Sequence, residues 1–176
     1  MSHSTPPLKG ALPAGISLRS AWRPGDADLI VDLHRQGYAS EGDRFGPSFP
    51  GYVRKTVDEA GLDAPGHDSR VWFAERAGET LGCAAMIDRN GRGQLRWVVL
   101  LPAARGLGLG KLLLTTAMDY AAAQGWPDVF LETTDGLGPS MQLYLAHGFA
   151  VTSDTEVELW DGPGRMIVMA RSLQSG

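Results

Sequence analysis

Gly106, Gly108 and Gly110 occupy alternate positions between Arg105 and Lys111 in the stretch ARGLGLGKLLL, residues 104–114, which runs directly into a segment of helical spacing. Glycine lets main chain come close to a bulky group, and the first turn of a helix leaves amides unpaired at the positive end of its dipole. The combination reads as a cradle for an anion. Spacing excludes two common cradles. A P-loop, G-x-x-x-x-G-K-[ST], would need glycine where Arg105 stands and a hydroxyl where Leu112 stands. A dinucleotide fingerprint, G-x-G-x-x-G, would need glycine at Lys111 or at Leu113. What remains is R-G-x-G-x-G between an apolar strand and a helix.

The elements around this stretch follow from periodicity. ISLRSAW, residues 16–22, reads as a strand, and RPGDADLIVDLHRQGYA as a helix with Asp26 as N-cap and Leu29, Ile30, Leu33 and Tyr38 on one face. Residues 39–50 form a turn-rich loop, and YVRKTVDEAGL a short helix ended by Gly61; this region is expected to be mobile and exposed. Strands are expected over 70–76, 81–88 and 94–101, joined by hairpin turns at AGET and RNGRG. Leu109, Leu112, Leu113, Thr116, Ala117, Tyr120 and Ala121 share the inner face of the next helix, which Gly125 and Pro127 close. DVFLETT is a strand, PSMQLYLAH a helix stopped by Gly148, and EVELW and RMIVMARSL a terminal hairpin about DGPG. Hairpins combined with one strand–helix–strand crossover over 94–133 predict a mixed sheet with helices on its faces.

Composition bounds the function. At 176 residues, 43% hydrophobic and a net charge of −4, the chain suits one domain with a real core, spanning 16–176 after a flexible tail over 1–15. No cluster of Lys and Arg offers nucleic acid a footprint, and no apolar window is long enough to span a membrane. The single cysteine, Cys83, provides neither a disulfide framework nor zinc spacing, so no metal is expected. With no signal-peptide pattern at its start, the chain reads as cytoplasmic.

Arg105, Gly108 and Gly110 match the acyl-CoA motif [QR]-x-x-G-x-[GA], behind LRWVVLLPAA with its proline three residues before the arginine. Downstream, YLAHGF matches Y-x-x-x-G-F at Tyr144, Gly148 and Phe149. On these residues the chain, over about 16–171, resembles the GNAT superfamily of N-acetyltransferases. In loop lengths and in LGCAAMI it is most similar to the acetyltransferase domain fused to MarR-type regulators, here without the regulator domain. The resemblance implies the GNAT fold, a mixed α/β (α+β) architecture whose central, mostly antiparallel, twisted sheet has about seven strands flanked by about four helices. It also implies acetyl-CoA as cosubstrate and a homodimer interface at the terminal strands.

It further assigns roles. Backbone amides of Gly106, Leu107, Gly108, Leu109, Gly110 and Lys111 would hold the pyrophosphate, with the Arg105 and Lys111 side chains as further phosphate ligands. Val98 and Leu100 would pair with the pantetheine arm, and an amide near Val98 or Val99 would stabilise the oxyanion. Tyr144 would donate a proton to the departing thiolate. A phenol of pKa about 10 against a thiol of about 8.5 makes that transfer mildly uphill. An acceptor amine of pKa about 10.4 needs help losing its proton, for which Glu132 and Glu75 are the candidates. The asparagine with which many members bind the coenzyme arm is replaced by Thr134, whose hydroxyl would partly substitute for it as a cofactor-binding group, or by Leu137 in the commoner alignment. His34, His67 and His147 show no partner spacing, and His147 suits a helix C-terminus.

The acceptor wall falls at about 34–62 and at the hairpin carrying Trp160. Tyr38, Glu41, Asp43, Arg44, Phe45, Phe49 and Tyr52 there suit a polar cationic molecule. The expected function is acetyl transfer to the primary amine of a small or amino-acid-like acceptor. A non-catalytic acyl-CoA sensor, a protein N-terminal or lysine acetyltransferase and a purely structural domain stay open at this point.

Overall fold

A short strand, β1 (Ile16–Arg19), begins the described chain, and Arg19 Nη1 bonds the Ala21 carbonyl at 2.8 Å, turning the backbone before the expected strand end at 22. The structure is a computed structural model and describes residues 12–39, 41–42, 45–64 and 66–174, so most of the expected N-terminal tail lies outside it. Helix α1 (Asp26–Tyr38) follows. Its N-cap is Gly25, not Asp26; the Asp26 carboxylate instead accepts from the Arg23 amide (2.7 Å) and from both Arg19 terminal nitrogens (2.9 Å each), fastening α1 to β1.

Helix α2 (Ser48–Ala60) starts earlier than its periodicity suggested. The Ser48 amide and hydroxyl both donate to Asp161, at 2.8 Å each, so the cap comes from the far end of the chain. Nor is this region exposed throughout: Phe45, Phe49, Val53 and Val57 are buried, while Gly42, Pro47 and Ser48 face outward.

Strands β2 (Arg70–Arg76), β3 (Glu79–Asp88) and β4 (Gly93–Leu100) form the expected antiparallel meander. A 3₁₀ turn (Pro102–Ala104) leads to helix α3 (Leu109–Ala123), which crosses over to β5 (Asp128–Thr134). Helix α4 (Gly138–Ala146) and the hairpin β6 (Ala150–Leu159) and β7 (Gly162–Ser172) complete the chain. Strand β6 begins six residues before the expected start at 156, because its first half is polar and exposed on both faces and so carries no alternation. The sheet order is β1-β2-β3-β4-β5-β7-β6, antiparallel except where β4 meets β5.

Apolar residues fill both sides of the sheet. One cluster joins Met86, Leu95, Leu131 and Met169 to Leu113, Leu114 and Met118 of α3; Leu114 and Met118 belong to the inner face in addition to the expected positions. Full burial of a leucine such as Leu113 contributes about 1.5–3 kcal/mol. The other cluster packs Ile30 and Leu33 of α1 and Phe49 and Val53 of α2 on Phe73, Ile87 and Trp97.

Candidate active site

Strands β4 and β5 pair only at Gly93↔Val129 and Gln94↔Phe130, then separate. The separation starts at a β-bulge: Ala85 faces Arg96 and Cys83 faces Val99, so β4 has one residue more than β3, and Trp97 takes a left-handed φ of 49°. Beyond the bulge the Leu101 amide donates to the Leu81 carbonyl at 2.8 Å. By alternation Val99 also turns its main chain to β3, whereas Val98 and Leu100 turn theirs to the edge that β5 has left. The Tyr38 hydroxyl donates weakly to the Val98 carbonyl, at 3.4 Å.

The glycine stretch closes the mouth of this gap. Gly106 and Gly108 have φ of 85° and 74°, conformations that side chains disfavour, and a Cβ on either would meet nothing within 4 Å, so backbone angle and not crowding selects glycine. The first helical bond of α3 is Leu112 N–H to Gly108 C=O at 3.1 Å. Among the described residues the amides from Gly106 to Lys111 make no well-formed hydrogen bond to main chain outside the helix or to a side chain. Leu109 buries its side chain in the core, and that of Lys111 is exposed. Arg105, half exposed, reaches back to the Gly37 carbonyl (3.3 Å) and Glu41 (3.4 Å).

A slot of about 470 Å³ runs from this mouth, lined by Arg105, Gly106 and Gly110, by Val98, Val99 and Leu100, and by Leu143 of α4. Unengaged donors at one end and an open strand edge along one wall match the diphosphate and amide-bearing arm of a coenzyme A thioester.

A second cavity, of about 110 Å³, shares Tyr38, Val98 and Leu137 with the slot. Tyr144, Glu132 and Thr134 all line it. Tyr144 is 7% exposed, its ring edge-on to Phe149, and its hydroxyl has no hydrogen-bond partner among the described residues. Burial, with a smaller contribution from Tyr38, pushes its phenol well above the usual range, so it holds its proton at neutral pH. Glu132 is exposed and forms no ion pair among the described residues. Thr134 is buried on this cavity and not on the slot, its hydroxyl donating to Asp135 at 3.1 Å; Leu137 reaches both spaces. Glu75 is apart from the site: it lines neither cavity, and Arg19 Nε holds it at 2.8 Å.

The roof and far wall are aromatic. Tyr38, Phe45, Phe49, Tyr52 and Trp160 form a continuous ring surface with neighbouring centroids 4.8–5.4 Å apart. Burial pushes the Tyr38 phenol up to about 12. Asp43 and Arg44, expected in this wall, lie outside the described residues, and Glu41 lines the slot.

Sequence reasoning missed His34 and Arg96, which also line the cavity. His34 is buried, stacks on Tyr38 at 5.8 Å, and bonds the Ile30 carbonyl through Nδ1 (2.8 Å), which places the proton there and leaves Nε2 as the acceptor. Burial first, and Arg96 as a lesser cause, lowers its pKa to about 4. The usable signals were a histidine at i−4 from an aromatic and an arginine inside the apolar run LRWVV. His147 caps α4, bonding the Leu143 carbonyl at 3.0 Å, and His67 accepts from the Ser69 amide at 3.2 Å, away from the site.

The family model for the acetyltransferase (GNAT) family matches residues 32–149. An uncharacterized N-acetyltransferase of Schizosaccharomyces pombe is 32% identical over 80% of this chain and 86% of its own length. The streptothricin acetyltransferase of Streptomyces lavendulae is 34% identical over 75% and 80%. A solved acetyltransferase of Salmonella typhimurium, with its cofactor acetyl-CoA, superposes at a TM-score of 0.66 with 20% identity, over 93% of this chain and 96% of that one. The chain belongs to the GNAT acetyltransferase family and is an N-acetyltransferase.

Proposed function

We propose that the chain moves the acetyl group of acetyl-CoA to the primary amine of a small or amino-acid-like acceptor by direct attack on the thioester. The observation that carries this reading is the run of unengaged amides from Gly106 to Lys111 at the mouth of a slot that meets the cavity of Tyr144. The small-molecule acceptor named for the Streptomyces relative supports it.

Acetyl-CoA, when bound, supplies the acetyl thioester. The 106–111 amides hold its diphosphate, aided by the α3 dipole. Arg105 and Lys111 add charge, Arg105 only after loosening its contact with Glu41. Val98 and Leu100 pair with the amide arm, and the Val98 amide faces the edge where a carbonyl oxygen would gain negative charge. Tyr144 holds a proton at Oη for the leaving sulfur, and Glu132 takes up the proton of the acceptor ammonium. Thr134 supports this end of the site by fixing Asp135.

The reading includes a single domain over 16–176, a cytoplasmic setting, the likeness to acetyltransferase domains fused to MarR-type regulators, and a homodimer through β6, the exposed sheet edge. No helix among the described residues is long and apolar enough to cross a membrane. The test is release of free thiol from acetyl-CoA across a panel of small amines and lysine peptides, with mass spectrometry to detect an added acetyl group. Turnover of small amines supports the reading; coenzyme binding without turnover on any acceptor overturns it in favour of a sensor.

A further inference from the structure

Among the described residues, the cavity beside Tyr144 is lined by one guanidinium, Arg96, and one carboxylate, Glu132, that form no ion pair. Arg19, Arg35, Arg54, Arg92, Arg105 and Arg165 each pair with a carboxylate, whereas Arg23, Arg70, Arg76, Arg89, Arg96 and Arg171 form no ion pair among the described residues; of these six, Arg96 lines the cavity. Arg96 is half-buried on the cavity wall, yet among the described residues it touches no carboxylate; the Trp97 ring lies 5.9 Å from its Cζ, and its charge is felt by neutral His34. Glu132 is equally unpaired on the same cavity. Extending the β4–β5 register two residues past Gln94↔Phe130 sets Arg96 level with Glu132 on either side of the gap. Arg96 lies opposite Ala85, and Ala85 and Trp97 both belong to the cluster under α1 and α2, so the bulge turns Arg96 towards the aromatic roof.

A simple ammonium ion would satisfy Glu132 and leave Arg96 facing a like charge. A ligand with both an ammonium and a carboxylate satisfies both, and a guanidinium is suited to a planar carboxylate. The five-ring wall would offer a polar aliphatic ligand little, while aromatic pairs gain from edge and offset contacts.

We propose that the acceptor is a free α-amino acid with an aromatic side chain, its carboxylate on Arg96, its amine beside Glu132, and its ring against Tyr38, Phe45, Phe49, Tyr52 and Trp160. This rests on the acetyl-transfer reading. In the transfer the amine nitrogen forms a bond to the acetyl carbon as the carbon–sulfur bond breaks. The ammonium loses two protons: Glu132 accepts the first and passes it to solvent, while the second, lost as the amide forms, restores the phenol of Tyr144 after that group has protonated the sulfur. The products are an N-acetyl amino acid, free coenzyme A and one proton released to solvent.

The experiment compares L-phenylalanine, phenethylamine (no carboxylate) and L-alanine (no ring) by kcat/KM in the native protein, with coenzyme binding measured separately. Phenylalanine should exceed phenethylamine by about ten- to a hundredfold, the range for one charged hydrogen-bonded contact, and alanine by a similar factor for the lost burial of the ring. Arg96→Gln should bring the phenylalanine-to-phenethylamine ratio close to one through KM, and Arg96→Lys should keep part of it. Phenethylamine turned over as well as phenylalanine, or an unchanged ratio in Arg96→Gln, overturns the inference and leaves acetyl transfer standing. Coenzyme binding with no turnover of any amine overturns both.

Discussion

Gly37 of α1 rests directly on Val99 of β4: a Cβ built on the glycine would lie 2.4 Å from Val99 Cγ2 and 3.2 Å from the Leu100 carbonyl oxygen. The last turn of α1 therefore sits against the strand whose free edge lines the slot, and Tyr38, the next residue, reaches the Val98 carbonyl. Gly37→Ala should lift α1 from β4, costing about 1–3 kcal/mol as overpacking does, and should weaken coenzyme binding at the same time. Urea unfolding and calorimetric titration with coenzyme A check it. Native stability in the variant would mean that Val99 can move aside freely.

Gly108→Val tests the cradle. With φ at 74° and open space around it, the glycine is required for its backbone angle, and a β-branched residue there should rotate the amides away from a common target. Coenzyme affinity should fall at least tenfold, the equivalent of about 1.4 kcal/mol. Unchanged affinity would remove the amides from the account.

Tyr144→Phe keeps the ring that packs on Phe149 and deletes only the hydroxyl that carries the proton. The expected result is a kcat lower by about a hundredfold with coenzyme affinity nearly unchanged, measured by single turnover and titration. A fall in affinity matching that in kcat would make the tyrosine a packing residue.

His34 gives a pH signature. Its pKa in the fold is about 4 against an ordinary 6.5, so the unfolded chain takes up a proton between those values and the folded chain does not. Its contribution is complete above pH 6.5 and is lost as pH falls through 4, by about 3 kcal/mol at full extent. Urea unfolding at pH 7 and at pH 4.5 should show this loss on top of that from the carboxylates, and His34→Gln should reduce it. An identical pH dependence in the variant would place His34 in contact with water.

The glycine turn and the start of α3 were legible because the angles of Gly106 and Gly108 are local properties, and the crossover because strand, helix and strand each carry a clear period. Other features depend on distant partners. The start of α2 was hidden because Asp161 caps it from across the molecule, and β6 because an edge strand wet on both faces has no alternation to read. The burial of Phe45 and Phe49 depends on Trp160, more than a hundred residues away, so a loop that looks exposed in sequence proves to be roof. His34 and Arg96 acquire meaning only once the bulge at Trp97 and the packing of α1 bring them to one cavity.

Two residue pairs hold β4 to β5, and past them the seam has no ladder of its own. A thioester carrier lying in that seam would act as a keystone between the halves of the sheet, so each catalytic cycle would end by loosening the molecule. Hydrogen–deuterium exchange at Val98 and Leu100 should then slow when coenzyme A is added and quicken when it leaves, making backbone breathing a readout of occupancy.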